Sequence, residues 1–206
     1  MSETEFNLGA AMAGGNRNAA RAKPDNEFHP TPVEAVDALM EREGGALRRY
    51  WKIWEPCCGN GAAAKALEFY KFDIVGTDLV DRGYGTGSLD FLKWQGEPAA
   101  KAIVTNPPFS LAVEFAMQAK ALGVEYVAFL HKATFWHAAD RDRLWAAWQP
   151  ARIYALTFRL DFENLGSPTM ECIWIIWDRK HSGETQYRRM SKAPPRGQLN
   201  MLGDGR

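Results

Sequence analysis

Apolar positions along the chain switch between helical and strand periods. From Pro32, the residues Val33, Val36, Leu39 and Met40 fall at helical spacing. Thr31 stands as the N-cap, Pro32 at the first helical position and Gly44-Gly45 as the stop. Trp51–Trp54 and Phe72–Thr77 read as short strands, with the helix formers from Ala62 to about Tyr70 between them. Further strands are predicted at Lys101–Thr105, Val124–Leu130, Ile153–Phe158 and Glu171–Trp177, and helices at Leu111–Leu122 and Ala138–Trp148. Strands separated by helices of this length predict an α/β fold, one Rossmann-like domain with a mostly parallel sheet covered on both faces. The last two strands have no helix between them and predict an antiparallel edge hairpin. No internal repeat is present.

Three segments follow from this pattern. Residues 1–27 are rich in Ala, Gly, Asn and Arg, show no sustained period, and read as a mobile N-terminal arm. Residues 28–178 form the domain. Residues 179–206 carry Arg179, Lys180, Arg188, Arg189, Lys192, Arg196 and Arg206 against Glu184 and Asp204, and read as a basic flexible tail.

Composition narrows the class. Apolar residues make up 46% and charged residues 24%, which excludes wholesale disorder. Lys plus Arg and Asp plus Glu each total 25, so a basic patch for a polyanion must be local. The longest apolar run, Cys172–Trp177, is far short of the roughly 20 residues that span a bilayer. The start Met1-Ser2-Glu3-Thr4-Glu5 is acidic where a secretion signal is basic. Three cysteines, two of them adjacent, make no disulfide framework. The expectation is a cytoplasmic protein with no membrane contact.

In open parallel sheets, ligands bind beyond the carboxyl ends of the strands, and three such ends carry chemistry. In Glu55-Pro56-Cys57-Cys58-Gly59-Asn60-Gly61-Ala62, two glycines allow a tight turn and close approach to a ligand. Asp78 ends the next strand, where a carboxylate can accept from both ribose hydroxyls. Asp90 follows the glycine-rich loop holding Gly83, Gly85 and Gly87. The run Gly59-x-Gly61-x-x-Ala64 also fits a dinucleotide fingerprint. A diphosphate beside Glu55 would be repelled, however, and a cationic ligand favoured. S-adenosylmethionine, a nucleoside with a sulfonium and an ammonium, fits better than NAD.

The sharpest signal is Asn106-Pro107-Pro108-Phe109, after the strand ending at Thr105. Two prolines remove two backbone donors and fix φ near −65°. The resulting elbow presents the Asn106 amide and the Pro107 carbonyl as acceptors for the two N–H bonds of a planar amine. Phe109 offers a ring on which a base can stack.

These residues resemble the Asn/Asp-Pro-Pro-Tyr/Phe signature of amino-group methyltransferases, chiefly the adenine N6 enzymes and their small phage and prophage-type members. Glu55–Gly61 resembles the first cofactor motif of that family, Thr77-Asp78 the second and Asp90 the third. Phe28-His29-Pro30-Thr31-Pro32 resembles the Thr-Pro segment that touches the methionine end of the cofactor. The resemblance covers roughly residues 26–178. It implies S-adenosylmethionine contacts at Thr31, Pro32, Glu55, Pro56, Cys57, Gly59, Gly61, Asp78, Leu79, Asp90, Phe91 and Asn106. Catalysis falls to Asn106, Pro107, Pro108 and Phe109, and the implied activity is direct methyl transfer to adenine N6 in DNA. Two departures stand out: no target-recognition domain is inserted, and the Asn/Phe form of the signature is shared with enzymes acting on RNA adenine and protein glutamine. DNA cytosine N4 and RNA adenine are therefore alternative substrates, and a non-catalytic nucleic-acid-binding module is an alternative function.

Direct transfer needs no cysteine nucleophile. Cys57 and Cys58 lack Cys or His partners at ligand spacing, so they are expected to pack in the loop and hold no metal. Trp51, Trp54, Trp174 and Trp177 are expected in the core. Phe135, Trp136 and Phe162 are candidates for stacking on a base. His131 and Lys132 are expected on a solvated rim, within reach of phosphate, and Asn16–Lys23 and Arg179–Arg196 as further phosphate contacts.

Overall fold

Strand alternation decides the layers. In β4 (Tyr126–Lys132), Tyr126, Ala128 and Leu130 enter one apolar core, while Val127 and Phe129 enter the other. The structure is a computed structural model and describes residues 28–137, 141–166, 168 and 170–196. The predicted arm, residues 1–27, lies outside the described residues. So do residues 138–140 of the predicted helix Ala138–Trp148, of which Asp142–Ala147 is helical.

The helices are α1 (Val33–Leu47), α2 (Ala62–Phe69), α3 (Ala112–Ala121) and α4 (Asp142–Ala147). The other strands are β1 (Lys52–Glu55), β2 (Asp73–Gly76), β3 (Ala102–Thr105), β5 (Arg152–Leu156), β6 (Cys172–Asp178) and β7 (Gln186–Met190). They form one sheet in the order β2-β1-β3-β4-β6-β5-β7, with β6 alone reversed. Helices α1 and α2 cover one face; α3 and α4 cover the other. Strand order reverses at β1, so the crevice between the ends of β1 and β3 is the topological switch point where α/β folds bind ligands. No described helix is long and apolar enough to cross a membrane.

β5 and β6 pair antiparallel as expected. β6 also pairs antiparallel with β4 over seven residues, from Tyr126↔Asp178 to Lys132↔Cys172, and so lies inside the sheet. The edge belongs to β7, which adds parallel to β5 from within the segment expected to be a flexible tail. Its sequence, Gln-Tyr-Arg-Arg-Met, hides the strand because only Met190 is buried. Two of the expected phosphate ligands are committed elsewhere. Arg179 donates to the Val124 and Lys120 carbonyls, and Arg196 forks onto Asp37 of α1.

Two helix signals also yield to packing. α1 continues through Gly44-Gly45 to Leu47 because Leu47 is fully buried, and a side chain at Gly44 would meet the Met40 methyl at 2.9 Å. Burial outweighs the roughly 1 kcal/mol that each helical glycine costs. Pro32, not Thr31, occupies the N-cap and offers no side-chain bond.

Trp54, Trp174 and Trp177 are buried, and their indole N–H groups donate to Thr77 Oγ1, the Ala35 carbonyl and the Trp148 carbonyl. Trp51 departs from the expected core: it is 56% exposed, lies just before β1 at φ +59°, and its ring only leans on Phe72.

A buried carboxylate locks α1 to the sheet. Glu43 accepts from Arg152 through both oxygens, at 2.6 and 2.8 Å, and from the Tyr126 and Tyr154 hydroxyls. Arg152 also reaches Asp178 at 3.3 Å.

Candidate active site

The switch point begins with Glu55 and Thr105, which end β1 and β3. Both are buried, and the Thr105 hydroxyl donates to Glu55 Oε1. The other carboxyl oxygen, Oε2, has no partner among the described residues. Burial pushes the Glu55 carboxyl up to about 8, against a weaker lowering by the bonds from Thr105 and the Cys57 amide. The sequence reading gave Glu55 a standing negative charge. Burial thus favours the protonated carboxyl in the free protein, and a positive neighbour would favour the ionised form.

The glycine loop is closed by Asp78. Its Oδ2 accepts from the Gly59 amide at 2.8 Å and its Oδ1 from the Val80 amide at 2.9 Å. Gly59 and Gly61 both have positive φ, at +52° and +81°. A Cβ on Gly59 would lie 2.4 Å from the Phe28 ring, and one on Gly61 2.4 Å from the Tyr84 ring. Close packing by the chain's own aromatics thus requires these glycines, whatever the ligand. Tyr84 is anchored by its hydroxyl, which donates to Glu68 at 2.7 Å. Cys58 donates through Sγ to the Tyr84 carbonyl, and burial pushes its thiol up to about 12, so both structure and protonation match a packing role. Asp90 caps the short turn Phe91–Lys93 by accepting from the Leu92 amide at 3.0 Å.

The diproline elbow follows β3 directly. The Asn106 side-chain nitrogen donates to the His29 carbonyl at 3.0 Å, whereas its oxygen is buried and unpartnered among the described residues. Pro107 is buried. The Phe109 ring is surrounded: His29 stacks on it at 5.7 Å, His131 approaches at 5.1 Å, and Phe162 meets it edge-on at 6.2 Å. The Lys132 ammonium lies 4.7 Å from its centroid.

These parts border a cleft of about 860 Å³. Of the residues expected to contact the cofactor or to act in catalysis, Thr31, Pro56, Cys57, Asp78, Leu79, Asp90, Phe91, Asn106 and Pro108 line it. Pro32, Glu55, Gly59, Gly61, Pro107 and Phe109 are not among its lining residues: Glu55, Gly59, Gly61 and Pro107 are buried, while Pro32 and Phe109 are half-buried. Phe135 is buried against His131, and Trp136 packs on Trp145, so neither reaches the cleft. His131 is not on a rim. It is buried in this aromatic cluster, its ring nitrogens unpartnered among the described residues, and burial, aided by Arg141 and Lys132, lowers it to about 3. Its strand position follows a five-residue apolar run, the one sequence signal that could have placed it inside. The roles of the His29 ring and Tyr84 had no local signal, because their partners are distant in sequence.

No protein-family model matches the chain, and no curated protein matches it in sequence. Solved structures do match. A Listeria monocytogenes protein assigned to the class I S-adenosylmethionine-dependent methyltransferases superposes with a TM-score of 0.59 at 14% identity, over 84% of this chain and 70% of that one. The fold is the Rossmann-like class I methyltransferase fold. The same fold relates the chain to a Pyrococcus horikoshii protein assigned as an RNA methyltransferase, with TM-score 0.54, 13% identity and coverage of 73% and 85%. It also relates it to the modification subunit assigned to a type I restriction enzyme of Vibrio vulnificus, with TM-score 0.53, 15% identity and coverage of 88% and 53%. In the class I frame, the switch-point cleft falls where the glycine loop, Asp78 and the elbow converge.

Proposed function

We propose that the protein transfers a methyl group from S-adenosylmethionine to the exocyclic amino group of adenine (N6) in DNA. The observation that carries this reading is the Asn106 amide. Its nitrogen is engaged by His29, so its oxygen is the free group, and that oxygen is a buried acceptor beside the cleft. Buried acceptors without donors are rare, and one at the edge of a cleft offers a place for a ligand's donor. Glu55 Oε2 is also unpartnered among the described residues, and in its ionised form the carboxylate suits a cationic ligand.

Bound in the cleft, S-adenosylmethionine supplies an activated methyl on a sulfonium. Asp78 holds the loop that shapes the nucleoside end, and Thr31, Pro56 and Cys57 line the cleft that receives the rest of the cofactor. Asn106 Oδ1 and the Pro107 carbonyl accept the two amine N–H bonds, which leaves the nitrogen lone pair directed away from them. Orientation of this kind supplies much of the rate in a direct displacement. As the new N–C bond forms the methyl–sulfur bond breaks, its electron pair staying on sulfur, and the nitrogen's surplus proton is lost to water while Asn106 Oδ1 keeps the remaining N–H oriented.

The restriction-modification likeness of one structural neighbour supports DNA; the RNA assignment of another keeps RNA adenine as the closest rival. Incubation with labelled S-adenosylmethionine and, separately, DNA, RNA and protein tests the reading, with nucleoside analysis of the products. N6-methyladenine from DNA is expected. Label only in RNA adenine, in N4-methylcytosine or in protein replaces the substrate, and no label with no binding of S-adenosylhomocysteine overturns the activity.

A further inference from the structure

A base can stack on Phe109 only if part of that ring is uncovered, and in the free protein its neighbours crowd it. These neighbours differ in how firmly they are held. His131 is buried and stacked on Phe135 at 4.1 Å, so moving it would open the core. His29 is tied to Asn106 through its carbonyl and meets Phe162 edge-on. Phe162 is buried. Lys132 is different. Its ammonium sits on a flexible four-carbon stem, the residue is half-buried and lines the cleft, and it has no ion pair among the described residues. Glu163, a carboxylate lining the same cleft, forms none with it either. A lone ammonium resting on an aromatic face is a weakly held charge, and a phosphodiester oxygen is a stronger partner for it.

We propose that Lys132 couples strand binding to base capture: its ammonium leaves the Phe109 ring for a phosphate of the substrate strand, and the vacated ring takes the target base. The inference rests on the methyl-transfer reading above and deepens it. It makes a charged sugar-phosphate backbone part of what the site recognises, and it makes Lys132 a positioning residue rather than a catalytic one.

The test measures methyl transfer by the wild type, Lys132→Met and Lys132→Arg. The substrates are an adenine-containing single-stranded oligodeoxynucleotide and the same sequence with a neutral methylphosphonate backbone. Lys132→Met is expected to raise KM for the charged strand about tenfold and to flatten its dependence on salt by about 0.7 in log–log slope, the value for one lost phosphate contact on a single strand. For the neutral strand a further variant, Lys132→Ala, lowers KM, because its short side chain no longer covers the ring. Lys132→Arg keeps the wild-type slope. A merely structural defect would raise KM for both strands together. An unchanged salt slope in Lys132→Met, or a higher KM for both strands, overturns this inference while the methyl-transfer reading stands. No transfer by the wild type to the charged strand overturns both.

Discussion

The side-chain nitrogen of Asn106 and the carbonyl of His29 are joined at 3.0 Å across 77 residues of sequence. This bond fixes which end of the amide is free. It ties the elbow after β3 to the segment that leads into α1, beside the stacking of the His29 ring on Phe109.

Replacing Asn106 with Ala removes the acceptor while the prolines keep the elbow's shape. Transfer is expected to fall by about a hundredfold or more, while S-adenosylhomocysteine still binds. Single-turnover kinetics and calorimetry on the same preparation measure the two effects. Near-normal turnover would remove Asn106 from the mechanism.

Gly61 and Tyr84 form a second separable pair. Gly61→Ala meets both a positive φ and the Tyr84 ring, and is expected to destabilise the fold by about 1–3 kcal/mol. In a Tyr84→Ala background the ring clash vanishes, so the same substitution should cost only about 1 kcal/mol, the conformational part. Denaturant unfolding of the four proteins in this double-mutant cycle gives the coupling directly. Strict additivity would show that the ring does not constrain the loop.

Glu55 gives a pH dependence of defined sign. Its carboxyl, raised by burial to about 8 from 4.5, keeps in the folded protein a proton that the unfolded chain has released. Its contribution to stability is complete below about pH 4.5 and is lost as pH rises through about 8. Unfolding measured across that window should show a steeper decline for the wild type than for Glu55→Gln. A cationic ligand at Oε2 reverses the preference, so its binding near neutral pH should release a proton. Calorimetry in buffers of different ionisation enthalpy detects that release, and identical slopes with and without Glu55 would contradict it.

Glu43 is held by three side chains, with Arg152, Tyr126 and Tyr154 all donating to it. Glu43→Ala leaves Arg152 half-buried with only its longer contact to Asp178, and should destabilise by about 3–5 kcal/mol. Thermal unfolding measures the loss. A change below about 1 kcal/mol would mean that the network carries little net energy.

The candidate site divides along a physical line. Motifs whose meaning is local were legible: the diproline elbow, because proline fixes its own φ; the glycine loop, because positive φ excludes most side chains; and the acids at strand ends, because strand ends are where ligands bind. What those residues face was not legible. The covered ring of Phe109, the buried His131 and the protonated Glu55 depend on neighbours brought from elsewhere in the chain.

The fold divides in the same way. The alternation of strand and helix periods determined the α/β class, the covered parallel sheet and the antiparallel pairing of β5 with β6, since each element must bury its own apolar face. Only the tertiary structure placed β6 inside the sheet and recruited β7 from the basic segment. A strand at a sheet edge needs one buried residue and a row of backbone bonds, and neither leaves a mark in hydrophobic periodicity.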